Sequence, residues 1–75
     1  MADCRFKYGQ GVRVHENAPC KWMPGAYGSV FSLYEVVLPQ YAKKHGVAME
    51  TVMVGIEELD GTSFEVPSEF VKVAK

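Results

Sequence analysis

Glu50-Thr51-Val52-Met53-Val54-Gly55-Ile56-Glu57-Glu58-Leu59-Asp60-Gly61-Thr62-Ser63-Phe64-Glu65-Val66 is the stretch that decides the fold. From Glu50 to Leu59 the apolar residues recur with period two, so Val52, Val54 and Ile56 share one face of a strand. Asp60-Gly61 then reads as a two-residue hairpin turn, which needs positive φ at both positions. Phe64 and Val66 point inward on the returning strand. A hairpin this tight makes antiparallel β structure the frame for the rest of the chain.

Upstream, Gly11-Val12-Arg13-Val14-His15 alternates in the same way, with Val12 and Val14 inward and Arg13 and His15 outward. Glu16 to Ala26 holds Asn17, Pro19, Pro24 and Gly25, and reads as a long loop carrying Trp22 and Met23. Tyr27 to Val37 is rich in strand formers, with Val30, Phe31, Tyr34, Val36 and Val37. Gly28 near its start predicts a bulge or a close backbone approach. Leu38, Tyr41, Ala42 and His45 fall on one helical face, with Pro39 suited to the first turn and Gly46 to the exit. A short helix is therefore predicted at about 39–45. Downstream, Pro67-Ser68-Glu69-Phe70 predicts one turn of 3-10 helix, followed by a last strand around Val71-Lys72-Val73. The inward set is Val12, Val14, Val30, Leu33, Val54, Ile56, Phe64, Val66 and Phe70.

The chain has 75 residues, room for one domain spanning 1–75 with an ordered part of about 6–74. Hydrophobic residues make up 48% and charged residues 23%, which excludes wholesale disorder. No apolar run exceeds three residues, so no stretch is long enough for a membrane helix. The formal net charge of −1 argues against a dedicated nucleic-acid binder. No apolar signal core follows the start, so a cytoplasmic address is expected, and there Cys4 and Cys20 would be free thiols.

The order of five short strands, a long first loop, an Asp-Gly turn and a 3-10 turn before the last strand resembles the SH3-like barrel. Gly11-Val12-Arg13-Val14, Pro24-Gly25-Ala26-Tyr27-Gly28-Ser29-Val30, Asp60-Gly61 and Glu65-Val66-Pro67 before Phe70 carry the likeness. The resemblance implies a mainly β, five-stranded SH3-like barrel with a helical insertion between strands 2 and 3. Fold alone does not set function, because this small barrel hosts many activities. Tyr8-Gly9-Gln10-Gly11-Val12-Arg13 is similar to the start of the plasmid-borne type II dihydrofolate reductases. The folate and nicotinamide pore of that family depends on a Gln-Ile-Tyr stretch in its fourth strand, where this chain has Phe64-Glu65-Val66. An acidic side chain there opposes two anionic ligands, so the reductase activity is not carried over. Gly11 to Val14 and Pro24 to Gly28 resemble equally the smaller-subunit barrels of nitrile hydratases and accessory subunits of redox complexes.

No cofactor motif stands out. Cys4, His15, Cys20 and His45 lack the paired spacing of a zinc site, so no metal set and no catalytic residue is assigned. The expectation is a non-catalytic interaction module. Residues 50–75 hold six acidic groups against two basic ones, an acidic face suited to a basic peptide or protein. In SH3-like barrels the first loop adjoins the third-to-fourth strand turn, so Trp22, Tyr27, Glu58 and Asp60 form the expected partner site. Aromatics beside carboxylates suit a cation. The alternative is a homo-oligomer, or an accessory subunit of a larger enzyme complex. Tyr34, Tyr41, Met49 and Met53 find no obvious place inside so small a barrel, and a second copy would cover them.

Overall fold

Alternating valines become strands wherever the period-two pattern is strongest. The computed structural model describes residues 6–74. Its strands are β1 (Gly11–Val14), β2 (Tyr27–Glu35), β3 (Val52–Glu57), β4 (Ser63–Pro67) and β5 (Val71–Val73). They form one antiparallel sheet in the order β4-β3-β2-β1-β5. Helix α1 (Pro39–His45) links β2 to β3, and 3-10 turns occupy Cys20–Trp22 and Ser68–Phe70. Pro39 opens α1 and Gly46 ends it in the left-handed region at φ 71°. The sheet is open, with β4 and β5 as its edges. The architecture is thus mainly β and five-stranded, and the expected closure into a barrel is not part of it. Among the described residues no helix is long and apolar enough to cross a membrane.

Two local features depart from simple alternation. The bulge falls between Val30 and Ser32, where Phe31 is the extra residue, and not at Gly28. It puts Val30 opposite Ile56 and Leu33 opposite Val54, so both face the same side although they are three apart. Gly28 is instead a close approach. A Cβ there would stand 2.5 Å from the Glu57 carbonyl oxygen and 2.7 Å from Cγ2 of Ile56. The second departure is the hairpin turn. Gly61 takes φ 92°, whereas Asp60 is not among the residues with positive φ. The Gly61 amide donates to the Glu58 carbonyl at 2.9 Å, and the Glu58 amide to that of Thr62 at 2.8 Å. The loop is therefore three residues, Leu59 to Gly61, ending in a left-handed glycine, and not the two-residue turn expected from Asp-Gly. Leu59 at its tip is 98% exposed.

The inner face gathers one apolar cluster from all five strands: Val12, Val14, Val30, Val54, Ile56, Val66 and Val71, joined by Phe6 and Ala18. Leu33, Phe64 and Phe70 are half-buried against it, shallower than expected. A second cluster lies on the other side of β3, where Val36, Ala42 of α1 and Met53 pack together. Met53 is fully buried there, which corrects the expectation that it lacked an interior place. The helix makes that place by covering the outer face. Tyr41 and Met49 remain exposed.

Candidate functional site

The first loop is closed at its base by two backbone hydrogen bonds, from Val14 N–H to the Ala26 carbonyl and from Gly25 N–H to that of Val14. Within it, Pro19 is extended and the 3-10 turn Cys20–Trp22 begins directly after it. The Trp22 amide donates to the Pro19 carbonyl at 2.9 Å, and Met23 ends the turn in the left-handed region at φ 59°. This geometry folds Trp22 back onto the sheet, where it packs against both apolar clusters.

Trp22 is only half-buried, and the rest of its ring walls a depression of about 360 Å³. Val47 and Thr51 from the α1–β3 link contribute one side, and Pro67, Glu69 and Phe70 contribute the other. Three separate segments therefore meet around one indole. Lys21 Nζ lies 4.8 Å from the centroid of the Trp22 ring. A Cβ at Gly46 would stand 2.7 Å from the same nitrogen, so the ammonium rests at the C-terminal end of α1. Both the ring quadrupole and the helix carbonyls favour a cation there. The chain thus supplies its own cation to the aromatic for which an external one was expected.

The four residues expected to form a single site are divided. Tyr27 lines a different depression, with its ring 5.8 Å from the Arg13 guanidinium carbon. Glu58 and Asp60 belong to the β3–β4 turn, at the far end of β3 from Val47, Thr51 and Pro67. Six residues of β3 intervene, roughly 20 Å of extended chain. Asp60 has a local role, since its Oδ1 accepts the Thr62 amide at 2.9 Å. Hydrogen bonding from Thr62 holds its carboxyl below the usual range. Of the four, Trp22 alone is in the depression that joins several segments.

A polar group on the outer face escaped the sequence reading. The Tyr34 hydroxyl donates to Glu65 Oε1 at 2.9 Å, and His45 Nε2 lies 3.4 Å from the Tyr34 hydroxyl oxygen. Burial pushes the Tyr34 hydroxyl up to about 12, and the Glu65 hydrogen bond and charge add to it. The cluster ties α1 to β2 and β4. It also takes Glu65 out of the set of carboxylates free to face a partner. Phe70 and Glu69 escaped the site reading for another reason: the pattern marks Phe70 as core, and only the packing of the 3-10 turn puts it beside Trp22. Comparison of the chain with family models, with curated proteins and with solved structures returns no match.

Proposed function

We propose that this chain is a non-catalytic, SH3-like interaction module that holds an extended peptide segment of a partner protein in the Trp22 depression. One observation carries the reading: a half-buried tryptophan flanked by Val47, Pro67 and Phe70, on three segments that the fold makes adjacent. Aromatic and apolar walls with a few polar groups are the usual composition of a recognition groove. The SH3-like part of the reading is supported by the strand order, the long first loop and the 3-10 turn between β4 and β5, and not by closure, since the sheet is open. Cys20 is exposed on the first loop. Cys4, the other half of any bridge, lies outside the described residues.

The preferred segment is apolar with one basic residue. Glu69 is exposed at the rim and would meet that charge, while Lys21 already covers one face of the indole. Glu58 and Asp60 no longer supply the acidic side. Trp22 is the only tryptophan, so its fluorescence reports directly on the depression. Short proline- and leucine-rich peptides with one arginine should change its emission saturably, and Glu69→Gln should weaken them. Emission that ignores such peptides would remove the reading.

A second reading, association of copies, is favoured by Val37, Leu38, Tyr41 and Met49, which flank or lie on α1 and are each more than 40% exposed. Sedimentation at high concentration would show dimers or larger species under this reading and monomers alone without it.

A further inference from the structure

The outer face of β1, β2 and β5 carries a row of side chains that the peptide reading does not use. Strand register sets Tyr27, Arg13 and Lys72 side by side across the three strands. All three are exposed, and with Glu16, Val73 and Ala74 they line an open depression of about 610 Å³. Like charges directly opposite on antiparallel strands destabilise a sheet. Among the described residues, neither Arg13 nor Lys72 is held in an ion pair that would offset this.

The row is also partly pre-set. The Arg13 guanidinium stacks 5.8 Å from the Tyr27 ring centroid. Tyr27 lies across Gly11, where a Cβ would come 3.0 Å from its hydroxyl oxygen. The absence of a side chain at Gly11 thus lets the ring lie down and hold the guanidinium. A planar fork already held in place loses less entropy when it binds.

We propose that this depression binds a small phosphoryl compound, with Arg13 and Lys72 on the phosphoryl oxygens. Two adjacent cations favour a dianion over a single carboxylate, and the guanidinium fork matches two oxygens at once. The Tyr27 ring gives the remainder of the compound an apolar shelf. A long polyanion is disfavoured, because among the described residues two cations line the depression, and residues 50–75 carry six acidic groups against two basic ones. Glu16 at the rim opposes the anion and caps its affinity.

The test is an amide-resolved NMR titration of the full chain with inorganic phosphate, against chloride at matched low ionic strength, where surface charges are least screened. Saturable shifts are expected at Arg13, Tyr27, Lys72 and Val73. Arg13→Gln and Lys72→Gln should each weaken binding about tenfold or more, and Glu16→Gln should tighten it roughly threefold. These side chains are exposed, and an unchanged spectrum of each variant without phosphate confirms its fold. Equal shifts with chloride, or an affinity unmoved in Arg13→Gln, would overturn the site. A single-stranded oligonucleotide that bound the same residues more tightly than phosphate would overturn the small-ligand assignment.

Discussion

The inner apolar cluster draws valine or isoleucine from every strand, whereas the outer one consists of Val36 and Met53 beneath Ala42 of a two-turn helix. The inner cluster is a product of strand alternation and would exist in any chain with these valines in register. The outer cluster exists only because α1 folds back over β3. Trp22 packs against both. The difference separates residues that hold the sheet together from residues that hold its attachments, and the proposed peptide site lies at the junction.

The largest effect is expected inside the inner cluster. Ile56→Ala should cost about 2–5 kcal/mol in a denaturant melt, because Ile56 is fully buried within the inner cluster. Met53→Ala should cost less, about 2 kcal/mol, since the cover from α1 can settle into the space. Equal costs would merge the two clusters into one core. Trp22→Ala should cost about 2 kcal/mol, below the range for a fully buried tryptophan. Because Trp22 touches both clusters, it should couple to Met53→Ala and to Ile56→Ala in double-mutant cycles, by roughly 0.5 kcal/mol or more. Additivity with both would show that Trp22 is only a lid.

The smallest effect concerns Tyr34, which ties α1 to the sheet. Its hydroxyl is raised from 10.0 to about 12 in the folded protein. The folded state therefore holds this proton more tightly than the unfolded chain does. The resulting stability is complete below pH 10 and is lost as pH rises toward about 12. Tyr34→Phe should flatten that alkaline loss and remove the last tyrosinate to appear in the near-ultraviolet titration. An unchanged alkaline limb would mean that the Tyr34–Glu65 contact does not contribute.

The same division explains what could be read from the residues. Val12, Val14, Val54, Ile56 and Val66 follow local alternation, and α1 announces itself through Pro39 and Gly46, so these were legible. Leu33 was assigned inward against the alternation of its own strand, and only the bulge at Phe31 reconciles it with Val30. Asp60-Gly61 named a turn but not its length, because one further residue, Leu59, fits the loop when Asp60 keeps negative φ. The site was legible only at Trp22. Its neighbours Val47, Pro67 and Phe70 come from distant segments, and their meeting depends on how α1 and the Ser68–Phe70 turn pack. No local period encodes that. Glu58 and Asp60 follow the end of β3 that pairs with the start of β2, while Trp22 lies at the other end of β3.

The most direct measurement is an amide- and indole-resolved NMR titration of the full chain with the arginine-containing proline–leucine peptide. We expect the Trp22 indole N–H and the amides of Lys21, Val47, Glu69 and Phe70 to shift together along one saturable curve, while Glu58 to Thr62 stay still. Shifts centred on the Glu58–Thr62 turn with Trp22 unmoved would contradict the assignment of the peptide site to the Trp22 depression.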